Sequence, residues 1–204
     1  MLEAFARRGV DMVGIDVSAR MVEYARRRLE DAGVTAELVV ADMIDFDLGR
    51  TFGGAICPIN TLGHLSPQGL ARHLDCVARH LEPGGRYLVQ VGLLDPAEGE
   101  PGGSTWEAER GDARLKVAWE GVARDWSRSV EEQRSRIEIL TGPRAGEILE
   151  ESHVMTMWTP ESWGKAIAAS PLEQAATYDG NVRDRPLVGP EACGGLLWHE
   201  LVGT

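Results

Sequence analysis

Five histidines and three cysteines are the side chains best suited to nucleophilic, acid–base or metal chemistry, and their spacing rules most of it out. Cys57, Cys76 and Cys193 form no C-x-x-C pair, and no H-x-x-x-H or Cys/His cluster has the ligand spacing of a zinc site. Widely spaced cysteines, odd in number, point to a reducing compartment and so to a cytoplasmic protein. His73 and His80 stand seven apart in one amphipathic stretch and read as solvated residues of one helix. His64, directly after Asn60-Thr61-Leu62-Gly63, and His153, in a segment of strand character, are the histidines placed to meet a substrate. Asp16 ends a short apolar run and lies two residues before Ser18, where an Asp is often only a cap or turn former. The 24 glycines contain no G-x-G, so the commonest phosphate-cradling loop is missing.

The elements that must carry these residues alternate in type. Leu2 to Arg8 reads as the end of a helix stopped at Gly9, and Val10 to Ile15 as a short buried strand ending at Asp16. Ser18 caps a helix whose apolar stripe is Met21, Ala25, Leu29 and Ala32, closed by Gly33. Glu37 to Val40 and Ala55 to Ile59 are the next strands, the first closing at Asp42-Met43. Ser66 with Pro67 opens a helix with Leu70, Leu74, Val77, Ala78 and Leu81 on one face, and Pro83-Gly84-Gly85 turns the chain into the strand Arg86 to Val91. Strands too apolar for a wet face, alternating with helices, predict an α/β chain with a parallel sheet covered on both sides.

Asp95 to Ser104 is turn-rich and divides the chain into 1–94, 95–158 and 159–204. Leu115, Val117 and Trp119 alternate with polar neighbours, and Val130 to Leu140 is expected to pair with Glu147 to Trp158 as an inserted antiparallel sheet. Thr159-Pro160-Glu161 opens a last helix, followed by strands at Leu172 to Tyr178 and Gly195 to Val202. All six tryptophans follow the boundary, either as fillers of a thin sheet or as the lining of an apolar substrate pocket.

Four stretches carry a family likeness: A-R-R-G-V-D-M-V-G-I-D-V-S-A-R-M at residues 6–21, V-V-A-D-M at 39–43, N-T-L-G-H-L at 60–65 and L-E-P-G-G-R-Y-L-V at 81–89. In this order and spacing they resemble a class I S-adenosylmethionine-dependent methyltransferase of the small-molecule type, starting after that family's first strand and glycine-rich motif. The resemblance implies a Rossmann-like doubly wound sheet with an inserted antiparallel β-sheet, truncated at its N-terminus, and S-adenosyl-L-methionine as cofactor. By the same likeness, Asp16 would accept from the ribose hydroxyls, and Asp42 from the adenine amino group. Met43 would offer a backbone N–H and a polarizable thioether to the adenine ring, and Val17 would cover the opposite face. Cys57 falls where the strand meets the sulfonium end of the cofactor, although a small buried Cys also simply fills a strand end. Methyl transfer from a sulfonium is an in-line displacement that positioning and desolvation can drive, so no residue is required to be catalytic.

A missing central strand would leave two unpaired inner edges, which an upstream segment or a partner copy would complete. The alternatives to an active methyltransferase acting by N- or O-methylation are a methyltransferase-like domain serving as a binding partner or scaffold, and an NAD(P)-dependent reductase. A formal net charge of -11 argues against nucleic acid and anionic membrane as partners, leaving a small-molecule methyl acceptor. No apolar run approaches the ~18 residues of a bilayer span.

Overall fold

The computed structural model describes residues 1–97, 99–180, 187–189 and 191–203. The chain runs α1 (Leu2–Ala6), β1 (Val13–Asp16), α2 (Ala19–Asp31), β2 (Glu37–Val40), β3 (Phe52–Cys57), a 3-10 turn (Thr61–His64), α3 (Pro67–His80) and β4 (Leu81–Leu93). It continues through β5 (Gly103–Arg110), β6 (Ala113–Asp125), β7 (Val130–Ile139), β8 (Ile148–Thr156), α4 (Pro160–Ala168), β9 (Leu172–Asp179) and β10 (Gly195–Gly203).

The core sheet is in two pieces. β1 and β2 pair in parallel, Asp16 opposite Val40, while a mixed sheet runs β3-β4-β10-β9, with β3 and β4 parallel and β10 antiparallel to both neighbours. Among the described residues no strand pairs with the free edge of β1 or with the free edge of β3. Arg50, in the β2–β3 connection, ties the pieces at their amino-terminal edge through Asp11 (3.1 Å) and Glu37 (3.0 Å), its guanidinium 5.1 Å from the Phe52 ring centre. The main core lies between the four-stranded sheet, α3 and α4, where Leu62, Leu70, Leu74, Val89, Leu93, Trp163 and Leu201 are almost fully buried.

Local sequence explains the helix starts. Ser18, Ser66 and Thr159 each accept a backbone N–H of the first turn, and Thr159 and Ser162 form a reciprocal capping box. The inserted sheet β5-β6-β7-β8 is antiparallel throughout. Across its buried side, Arg124 pairs with Glu131 at 2.6 Å, and Gln133 links Glu131 to the Trp119 indole. No helix among the described residues is long and apolar enough to cross a membrane.

Three expectations are corrected. The expected α2 stripe holds at Leu29, with Ala25 and Ala32 half-buried, but Met21 is 51% exposed and Val22 beside it is buried. Pro83-Gly84-Gly85 does not end a turn outside the strand but forms an irregularity inside β4, where the register against β3 shifts between Phe52–Leu81 and Gly54–Arg86. His73 and His80 are buried, not solvated. They share a helix face with Leu70, Leu74 and Val77, and both nitrogens of each ring find polar partners.

Candidate functional site

The five residues singled out from the sequence fall on or just past the carboxyl ends of β1, β2 and β3. Asp16 is exposed at the end of β1. Its Oδ1 accepts the Ser18 N–H at 2.8 Å, so it does cap the following turn, while its second oxygen has no protein partner among the described residues. Val17, beside it, leaves an apolar side chain 71% exposed. The Ala41 N–H donates to the Asp16 carbonyl (3.1 Å), which brings the β2 exit against the β1 exit.

The β2 exit is a tight turn, Asp42 to Asp45. The Asp45 N–H donates to the Asp42 carbonyl (3.1 Å), and the Ile44 N–H to Asp42 Oδ1 (3.1 Å). Met43 is half-buried against the core. Its carbonyl accepts from His73 (2.9 Å), but nothing among the described residues accepts from its N–H. The free Asp16 and Asp42 oxygens, the free Met43 N–H and the exposed Val17 form a set of two acceptors, one donor and an apolar surface. That set suits a nucleoside: acceptors for hydroxyl and amino groups, a donor for a ring nitrogen, a flat apolar contact.

At the end of β3 the half-buried Cys57 thiol is pushed up in pKa by burial, against the opposing effect of hydrogen bonds with Tyr87 and Thr61. The chain then enters an unusual turn, with Ile59 and Asn60 both in the left-handed region at φ 61° and 55°. Two side-chain bonds to β4 hold it: Gln90 Oε1 accepts the Ile59 N–H (2.8 Å), and Asn60 Oδ1 accepts the Gly92 N–H (2.9 Å). Ile59 is 75% exposed as a result. The sequence offered one hint, since Asn tolerates this conformation, and none for Ile59.

The 3-10 turn then meets the inserted sheet. His64 and His153 face each other with ring centres 5.5 Å apart, Thr156 donates to the Leu65 carbonyl (2.7 Å), and Met155 lies against Gly63. The two histidines expected near a substrate are thus brought together on this seam. Trp158 and Trp163 are core fillers, 4% and 2% exposed, whereas Trp106 on the insertion is 47% exposed. No cluster of metal-ligating side chains occurs among the described residues. A cleft lined by Asp45, Phe46, Asp47, Arg50, Arg79 and His80 begins at the last residue of the Asp42–Asp45 turn and contains none of the five predicted residues.

Comparison with known proteins locates the similarity. Residues 1–85 match the family model described as a methyltransferase domain. The chain is 32% identical over 173 residues to a dTDP-3-amino-3,6-dideoxy-alpha-D-glucopyranose N,N-dimethyltransferase of Streptomyces fradiae, an alignment covering 78% of this chain and 60% of that protein. The chain therefore spans about three-fifths of that relative's length. Among solved structures, a S-adenosylmethionine-dependent methyltransferase from Clostridium acetobutylicum superposes with a TM-score of 0.78 at 15% identity, covering 98% of this chain and 78% of that one. A SAM-bound amino pentose methyltransferase from Micromonospora echinaspora gives 0.74 at 21% identity, covering 100% of this chain and 78% of that one. At these identities the structural likeness speaks for the fold.

Proposed function

We propose that this chain is a class I S-adenosylmethionine-dependent methyltransferase that binds S-adenosylmethionine at the carboxyl ends of β1–β3 and methylates the amino group of a small sugar-like acceptor, a reading supported by the methyltransferase-domain match over residues 1–85 and by the 32% identical relative. The observation that carries the reading is the uncommitted Met43 N–H between two half-committed carboxylates, Asp16 and Asp42, at adjacent strand ends.

The bound cofactor would supply an electrophilic methyl on a sulfonium. Asp16 would hold the ribose hydroxyls through its free oxygen while its other oxygen keeps the turn at Ser18 rigid. Asp42 and the Met43 N–H would read the adenine edge, with Val17 on one ring face. Cys57 and the Ile59–Asn60 turn would border the reacting end, excluding water rather than moving protons, because the raised thiol pKa keeps Cys57 neutral. Residues 1–94 and 159–204 would form the cofactor side and residues 95–158 the acceptor side. His64 and His153, whose rings lie 5.5 Å apart on the seam, would hold the acceptor's amine and take up its proton. The relative's amino-sugar activity and this chain's net charge of -11 support a cationic or neutral small acceptor over a polyanion.

A second reading, a methyltransferase-like domain that serves as a binding partner without turnover, is favoured by the edges of β1 and β3 that no strand among the described residues covers. Incubating the 204-residue protein with methyl-labelled S-adenosylmethionine and a dTDP-linked amino sugar separates the two. Label transfer that falls sharply in Asp16→Ala supports the enzyme; a well-folded sample that neither transfers label nor binds the cofactor overturns it.

A further inference from the structure

His73 sits in the middle of α3, 4% exposed, and no role follows for it from the site residues alone. Its Nδ1 lies 2.9 Å from the Met43 carbonyl and its Nε2 2.7 Å from the Tyr87 hydroxyl. A carbonyl only accepts, so Nδ1 carries the proton; in the neutral ring Nε2 is then the acceptor and Tyr87 donates its one proton to it, leaving the phenol oxygen to accept from the neutral Cys57 thiol, its other hydrogen-bond partner. Burial holds His73 neutral by lowering its pKa, and Tyr87, 1% exposed, has its own pKa raised well above the ordinary range by burial. The ring is locked in one tautomer and one orientation. One helical turn on, Cys76 Sγ donates to the next carbonyl, that of Ile44, at 3.5 Å. Two α3 side chains, three residues apart, thus grip two consecutive carbonyls of the Asp42–Asp45 turn.

With the Met43 and Ile44 carbonyls, the Ile44 N–H and the Asp42 carbonyl all committed, the turn has one way to stand, and the Met43 N–H is the donor left over. We infer that His73 is a positioning residue: through the Tyr87–His73–Met43 chain it fixes the turn that presents the Met43 N–H and the Asp42 carboxylate to an adenine ring. The inference rests on the proposed function for what the turn binds, but the rigidity it asserts exists without ligand. It also assigns Tyr87 a part, since that hydroxyl, donating to Nε2, holds the ring in the orientation from which Nδ1 donates.

The test uses His73→Leu, which removes the donor, and His73→Asn, whose amide can reach the same carbonyl, together with Tyr87→Phe. Amide hydrogen exchange without ligand is read at Ile44 and Asp45, the hydrogen-bonded amides of the turn, with Val89 and Val91 of β4 as the reference for global stability. Calorimetry with S-adenosylhomocysteine and S-inosylhomocysteine reads adenine selectivity, because the inosyl ring presents an N–H where adenine presents an acceptor. His73→Leu is expected to speed exchange at Ile44 and Asp45 about tenfold relative to the β4 reference, and to weaken S-adenosylhomocysteine by about tenfold with loss of selectivity. His73→Asn is expected to restore both, and Tyr87→Phe to fall between. Should His73→Leu unfold, Tyr87→Phe and His73→Asn still decide the matter. Unchanged local exchange in Tyr87→Phe, or exchange in His73→Asn no slower than in His73→Leu, overturns the inference. A wild-type protein that binds neither nucleoside defeats the proposed function for this chain, and the exchange data then judge the positioning role alone.

Discussion

His199 offers a quantitative test of how the core is built. It lies on β10, 1% exposed, with its ring 4.9 Å from Trp163, a marginal 3.5 Å contact from Nδ1 to Thr177, and no partner for Nε2 among the described residues. Burial lowers its pKa from the ordinary 6.5 to about 4. A depressed histidine pKa means that the unfolded chain binds the proton first, so stability is complete above pH 6.5 and declines as pH falls toward 4. The full shift corresponds to about 3 kcal/mol, of which about 2 kcal/mol is lost by pH 5. His199→Phe keeps the ring against Trp163 and removes both the proton site and the orphaned nitrogen, while Thr177 keeps its bond from Gln174. Urea unfolding at pH 7.5 and pH 5 should show the variant at least as stable as wild type at the higher pH. At pH 5 its midpoint should lie about 1 M higher, for a slope near 2 kcal/mol per molar. His73, also depressed by burial, and the acid-shifted carboxylates contribute equally to both proteins and cancel in the difference. Parallel pH dependences for the two proteins would show that His199 is not desolvated as described.

Other substitutions test separate parts of the structure. Ile59→Gly, at φ 61° and 75% exposed, should raise stability by about 1 kcal/mol in thermal unfolding, because a β-branched residue is strained there and little packing is lost. Glu131→Gln leaves Arg124 charged and only 11% exposed in the inserted sheet, and should cost about 3 kcal/mol by denaturant unfolding. Gly63→Ala would place a Cβ 2.5 Å from the Met155 methyl and 3.2 Å from Asn60, so it should destabilise the seam by about 1 kcal/mol or more, with hydrogen exchange rising at β8.

The parts of the fold that read directly from sequence are those governed by local chemistry. Ser18, Ser66 and Thr159 announce their helices because the caps are local hydrogen bonds, and β2 matches its expected span because an apolar run between turn residues needs no distant partner to be recognised. The antiparallel insertion was legible in its alternation, Leu115, Val117 and Trp119 turning one way. What escaped depends on tertiary contact. His73 and His80 look like solvated helix residues until Met43, Tyr87, Leu48 and Cys76 are found around their rings, although their 3–4 spacing with Leu70, Leu74, Val77 and Leu81 was a usable sign of the buried face. The left-handed pair Ile59–Asn60 escaped for the same reason, being held by Gln90 and the Gly92 N–H some thirty residues away.

The central claim, a nucleoside site at the carboxyl ends of β1–β3, is tested most directly by calorimetric titration of S-adenosylmethionine into the folded 204-residue chain, with Asp16→Ala and Asp42→Ala beside it. Saturable binding at one site, weakened about tenfold or more by each substitution while thermal stability is kept, is the expected result. Binding unaffected by both substitutions, or no binding by a well-folded chain, would contradict it.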